Sequence, residues 1–291
     1  MDISIIVATF NRADHLRHAL TSLQAANVPA GMSCEVLVVD NNSTDGTRAV
    51  VEPFLTNRPV TFRYVVEHRQ GKSFALNTGL REAAGSVLAF TDDDCIVDGT
   101  WIETIISLLG CDESLDGVGG RVELYDKRDR PVSIRTDPQP HLCSITTLFS
   151  SIIGCNMALD KRVFDAVGIF DPMFGPGNVA GEDIDLVYRA QRSGLRIMYA
   201  PEMVVYHDHG RRTDADVQKI RREYIGGHGA FYAKHILRAD WLVFRMGFRD
   251  FSITLRSLVR ELWTGQGEKR GELWWLVRGF LYGLTAAHRE Q

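Results

Sequence analysis

The chain has 291 residues, 45% hydrophobic and 24% charged, with a formal net charge of −4. Such values suit a soluble globular protein and exclude a disordered or fibrous one. The charge is unevenly held: residues 1–210 carry 18 Lys and Arg against 28 Asp and Glu, whereas residues 211–291 carry 15 against 9, together with four of the five Trp.

In chain order, apolar β-branched runs at Ile3–Val7, Glu35–Val39, Thr61–Val66, Ser86–Phe90 and Gly117–Val122 read as strands buried on both faces. Helical patterns fall near Ala13–Ala25, Gly46–Leu55, Lys72–Ala84 and Trp101–Leu109. Strands alternating with helices predict βαβ units and a parallel sheet. Residues 124–147 form a long polar excursion containing three prolines. An apolar segment at Ile152–Leu159 and a short helix at Lys161–Val167 follow. A Gly/Pro loop at Phe174–Asn178 leads into a helix at Glu182–Ser193. Two short strands, Arg196–Ala200 and Met203–Tyr206, end at His207-Asp208-His209.

The five cysteines include no CxxC pair and are odd in number, which predicts a reducing compartment rather than a disulfide framework. Asp2 and the lack of a basic residue before Ile3–Ala8 argue against a signal peptide. No apolar stretch reaches the ~18 residues of a spanning helix.

Ligands of parallel α/β sheets bind beyond the carboxyl ends of the strands. Three polar groups fall there: Thr9-Phe10-Asn11-Arg12, Asp40-Asn41-Asn42-Ser43 and Asp92-Asp93-Asp94. Three adjacent carboxylates repel one another, and a hard divalent cation relieves that repulsion; a solvated acidic loop is the plainer alternative. An extended DxD would turn Asp92 and Asp94 to one side. Asp40 reads as an acceptor for a nucleobase N–H or ribose hydroxyl, or as part of a helix cap. Gly71-Lys72-Ser73 is not a phosphate-binding P-loop, because Val66 stands where its first glycine belongs. Glu182 and Asp183 open a helix, where carboxylates serve either as caps or as a general base. His207 reads as a surface histidine or as the completion of a metal shell.

Taken in order, Ile5–Arg12, Val38–Thr47, Gly71-Lys72-Ser73 with Ala75, Asn77 and Gly79, Phe90–Asp94, Gly154–Ala158 and Gly181-Glu182-Asp183 resemble family 2 glycosyltransferases over about residues 1–210. The resemblance implies a GT-A fold, with a mostly parallel central sheet flanked by helices, and a catalytic domain over 1–210. It implies an inverting transfer from a nucleotide sugar, often a UDP-sugar, with Mg²⁺ or Mn²⁺. Asp183 would be the base, with Glu182 beside it. Thr9, Asn11, Arg12, Asp40, Asn42, Lys72, Asn77, Asp92 and Asp93 would line the donor site. Asp94 and His207 would hold the metal, and Arg211 or Arg212 would neutralise the diphosphate. Gln218–Arg222 echoes the QxxRW motif of processive members but has Arg222 in place of Trp, which favours addition of a single sugar. A glycan or lipid-linked acceptor is implied, and nucleic acid is not. A sugar-1-phosphate nucleotidyltransferase and a non-catalytic nucleotide-sugar-binding scaffold are the alternatives. The first lacks its Gly- and basic-rich loop after the first strand, and Asp94 and Asp183 argue against the second.

Residues 211–291 read as an α-helical extension. Leu255, Leu258, Val259 and Leu262 share one helical face, and Leu273, Leu276, Val277, Phe280 and Leu284 share another. Packing on the catalytic domain or in a homodimer is the favoured reading. Peripheral contact of 234–288 with the cytoplasmic face of a membrane is the alternative.

Overall fold

The computed structural model describes residues 2–56, 60–175, 179–264 and 271–287. The chain divides into two units, Met1–Asp171 with Glu182–Arg212, and Pro172–Gly181 with Thr213–Gln291.

The first unit begins β1 (Ile3–Thr9), α1 (Ala13–Ala25), β2 (Cys34–Asp40), α2 (Thr47–Val51), β3 (Thr61–Val66), α3 (Lys72–Glu82) and β4 (Val87–Asp92). These strands pair in parallel as β3-β2-β1-β4. Their residues are apolar at nearly every position because both faces are covered: every residue of β2 is buried. α2 is shorter than the sequence pattern and gives way to a 3₁₀ turn at Glu52–Phe54, where Pro53 lacks the N–H an α-ladder needs. The chain proceeds from β1 to β2 and β3 on one side and then returns to β4 on the other, so the crevice beyond Thr9 and Asp92 is a topological switch point.

The unit continues through β5 (Cys95–Val97), α4 (Trp101–Cys111), β6 (Gly117–Leu124), β7 (His141–Leu142), α5 (Leu148–Ser151), β8 (Asn156–Asp160), α6 (Lys161–Val167), α7 (Glu182–Arg192) and β9 (Ile197–His207). The sheet order extends as β4-β8-β6-β9-β5, with β8 antiparallel to both neighbours, β6 parallel to β9, and β7 also on β9. The two short strands expected over 196–206 form one strand, β9. The register jumps from Gly120–Ala200 to Arg121–Val204, so Pro201, which cannot donate to a ladder, sits in the bulge. β5 was not evident in the sequence; its three residues are too few for a periodic signal.

The second unit contains α8 (Asp214–Leu237), α9 (Trp241–Thr264) and α10 (Glu272–Ala287). Thr213 caps α8: its hydroxyl accepts from Asp216 N–H, and the Asp216 carboxylate accepts from Thr213 N–H. α8 and α10 pack closely: a Cβ on Gly279 would lie 1.9 Å from the Gly226 carbonyl oxygen. The α10 stripe joins that contact, with Leu276 buried and Leu273, Val277, Phe280 and Leu284 half-buried. Of the α9 stripe, Leu255 and Val259 are exposed and Leu258 is half-buried; Trp241, Phe244, Phe248, Phe251 and Trp263 on the same helix are exposed too. Periodicity shows that a helix has an apolar face but not whether another element covers it. The side chain of Leu262 lies outside the described residues, as do 176–178 of the Gly/Pro loop. Among the described residues, no helix is long and apolar enough to cross a membrane.

Candidate active site

Strand register assembles the rim. Thr9 lies beside Asp40, and Ala8 beside Asp92, at the carboxyl ends of three parallel strands. The DxD is not extended: Asp92 ends β4, and Asp93-Asp94 turn the chain into β5. The three carboxylates therefore separate. Asp92 meets Lys72, while Asp93 and Asp94 share Arg12.

At one end of the rim, Arg12 donates to Asp93 Oδ1 at 3.0 Å and Asp94 Oδ2 at 2.8 Å. Thr9, buried, donates its hydroxyl to Asp93 Oδ2 at 2.8 Å. His207, at the end of β9, places Nε2 3.3 Å from Asp94 Oδ1. These near-identical carboxylates diverge. Burial lifts Asp93 to about 7 even against the Arg12 charge, and the Asp94 charge adds to the rise. Burial also presses Asp94 upward, but its hydrogen bond and charge contact with His207, with Arg12 behind them, hold it well below the usual carboxylate range. Burial lowers His207, and the Asp94 hydrogen bond overrides it to about 9. The Asp94 carboxylate offers the oxygen donor that Mg²⁺ and Mn²⁺ take, with a His207 nitrogen beside it.

At the other end, Lys72 Nζ lies 2.7 Å from Asp92 Oδ1 and 3.5 Å from Glu182 Oε1, joining the β4 end to the start of α7. Asp183 Oδ2 accepts from the Gly154 N–H at 2.7 Å, and its Oδ1 from its own helix at Ile184 N–H. Burial and the neighbouring Glu182 charge raise Asp183 to about 6, with Lys72 pulling the other way. A Cβ at position 154 would lie 2.9 Å from Asp183 Oδ2, so only glycine leaves that carboxylate its place. The Gly154–Ala158 motif thus holds Asp183 through its backbone. Its Asn156 is structural: fully buried, it accepts from Trp101 Nε1–H and donates to the Arg121 and Met203 carbonyls.

Asp40 is buried with both oxygens engaged: Oδ1 accepts from Ser43 N–H at 2.8 Å, and Oδ2 from the Tyr64 hydroxyl. Tyr64 escaped the sequence reading because it stands mid-strand in β3 without a motif. Asn11 and Asn42 turn the two loops with φ of 52° and 64°, a left-handed conformation that asparagine tolerates. Asn11 Oδ1 accepts from Thr44 N–H, tying these loops together. Asn77, expected at the donor, is buried in α3, and its amide exchanges both hydrogen bonds with the Phe170 backbone. Its spacing on α3 turns it toward the protein interior. Arg212 is held by Asp129 at 2.9 Å and Asp126 at 2.7 Å, both in the 124–147 excursion. Arg211 Nη1 is buried without a hydrogen-bond partner, and its backbone N–H donates to His209 Nδ1.

Carboxylates, a lysine, an arginine and a histidine thus rim the crevice at the switch point of this α/β sheet. The glycosyl transferase family 2 model matches residues 4–168, and the chain belongs to that family. Glycosyltransferase AglE of Haloferax volcanii is 27% identical over 207 residues, covering 70% of this chain and 66% of AglE. The chain thus spans just under two thirds of that relative. Succinoglycan biosynthesis protein ExoM of Rhizobium meliloti is 28% identical over 258 residues, 86% of this chain and 82% of ExoM. Among solved structures, mannosyltransferase PcManGT from Pyrobaculum calidifontis, in complex with GDP-Man and Mn²⁺, shares the fold. Its TM-score is 0.64 at 18% identity, over 99% of this chain and 87% of that one.

Proposed function

We propose that the chain moves a sugar from a nucleoside diphosphate sugar, a UDP-sugar first among them, to a hydroxyl of a glycan or lipid-linked acceptor, with inversion. The observation that carries this is Asp183. It is a carboxylate raised to about 6 and fixed by the Gly154 N–H, on the same rim as the Asp94–His207 pair. A base near the working pH is what proton removal from a hydroxyl requires. Asp183 takes the acceptor's proton, the acceptor oxygen bonds to the anomeric carbon, and the bond from that carbon to the diphosphate breaks from the opposite face. Asp94 and His207 would hold Mg²⁺ or Mn²⁺, which supplies positive charge against the departing diphosphate. Asp40 positions the nucleoside, with Tyr64 fixing its carboxylate. Lys72 holds Asp92 and Glu182 in place beside the sugar. Arg211, with its unpartnered buried Nη1, is the better candidate for the diphosphate, because Arg212 is clamped by Asp126 and Asp129. Arg222 in place of a stacking Trp supports single-sugar addition in surface-glycan assembly. A screen of UDP- and GDP-sugars with Mn²⁺ tests the reading: release of nucleoside diphosphate from one donor class is expected, and release from none would remove it.

The exposed α9 face supports peripheral attachment to an anionic bilayer, on the cytoplasmic side if the reduced cysteines set the compartment. Trp241, Phe244, Phe248, Phe251, Leu255 and Val259 recur at intervals of three and four, flanked by exposed Arg245, Arg249, Arg256 and Arg260. Co-sedimentation with phosphatidylserine vesicles is expected, together with its loss in Phe248→Ser/Phe251→Ser. Equal recovery with and without vesicles, with a doubled mass by light scattering, would assign the face to a second copy instead.

A further inference from the structure

Cys95 and Cys155 take no part in the transfer chemistry, yet both are buried against it. Their Sγ atoms and a ring nitrogen of His207 lie within 4.8 Å of one another. Asp94 stands beside this group, its Oδ1 3.3 Å from His207 Nε2 and 3.9 Å from Cys95 Sγ. The fold makes this convergence. Cys95 opens β5 in register with His207 on β9, Asp94 precedes it in the turn, and Cys155 leads into β8.

The two contacts that Asp94 makes with members of this group lie near the spacings of a zinc shell. Zn–S bonds of about 2.3 Å and Zn–N and Zn–O bonds of about 2.0–2.2 Å put nitrogen and oxygen ~3.4 Å apart and sulfur and oxygen ~3.6 Å apart. The surroundings also match. His207 Nδ1 lies 3.3 Å from the Ser133 carbonyl, which accepts its N–H and leaves Nε2 for a cation. Arg12 occupies Asp94 Oδ2, leaving Oδ1 to the cluster.

The geometry points to a buried Cys₂His site for a thiophilic divalent cation, Zn²⁺ above all, formed by Cys95, Cys155 and His207 beside Asp94. Each thiol, and the His207 Nε2–H that faces Asp94, releases its proton to solvent as the cation binds. Two thiolates set this site apart from the hard-cation pair of Asp94 and His207. The site uses His207 and lies against Asp94, so zinc and the cation of the transfer reaction exclude each other, and zinc inhibits transfer. That consequence rests on the transferase reading; the coordination does not.

Titration of the metal-free, reduced full chain with Co²⁺ tests it by absorption. One equivalent should give the intense visible bands of tetrahedral cobalt and a near-ultraviolet sulfur-to-cobalt band, both bleached by Zn²⁺. Cys155→Ser should weaken the sulfur band, and Cys95→Ser/Cys155→Ser should abolish it with an unchanged circular dichroism spectrum. A weak octahedral spectrum in the wild type overturns the site without recourse to any variant. So does a sulfur band that persists in the double variant, since Cys34, Cys111 or Cys143 would then supply it. With Mn²⁺ and a turned-over donor, Zn²⁺ should suppress wild-type turnover and spare the double variant. A sulfur–cobalt band in a protein that turns over no donor supports the site and counts against the transferase reading alone.

Discussion

The two ends of the rim hold the same residue type in opposite conditions. Asp94, gripped by His207 and Arg12, is kept ionised far below the usual carboxylate range. Asp183 is pushed up to about 6 by burial and by Glu182, with only Lys72 and two backbone N–H groups opposing. Partners rather than residue identity divide the labour: a carboxylate surrounded by cations suits charge binding, and one beside a like charge suits proton transfer.

Removing the cation should break this division most completely. Treatment with EDTA should bring donor turnover to background, Mn²⁺ should restore it, and Asp94→Asn should remain inactive in Mn²⁺. Full activity in EDTA would strip Asp94 and His207 of their assigned role. A smaller effect is expected at the other end from Gly154→Ala. The added Cβ would meet Asp183 Oδ2 at 2.9 Å, and displacing the base should lower kcat roughly 10- to 100-fold, with donor KM little changed. Smaller again is the effect of pH. The base works unprotonated, so kcat/KM should fall as pH drops through about 6. Glu182→Gln removes a like charge and should move that limb to lower pH. A limb that stays in place would mean that burial alone sets it.

The framework was legible because buried parallel strands carry an unmistakable apolar pattern, and the topology then assigns the polar residues at their ends to one rim. Thr9, Arg12, Asp40, Asp92 and Asp94 could be marked in that way, and Asp183 by its place at a helix start and in a family motif. What stayed hidden depends on tertiary packing. Alternation in a strand does not apply to Asp93-Asp94, because they form a turn. Asn77 carries a family motif but spends its amide on Phe170. Tyr64 reaches Asp40 from the next strand, and Asp129 reaches Arg212 across 83 positions. The α9 stripe has the period of a core helix, and only the positions of its neighbours reveal that it is uncovered.

The assignment of Asp183 as the base is tested most directly by Asp183→Asn. This isosteric change keeps an oxygen for the Gly154 N–H but removes the proton acceptor. With the donor identified by the screen and Mn²⁺ present, single-turnover transfer should slow about 10²- to 10⁴-fold, while donor binding and the Co²⁺ spectrum stay as in the wild type. Transfer at the wild-type rate would contradict the account.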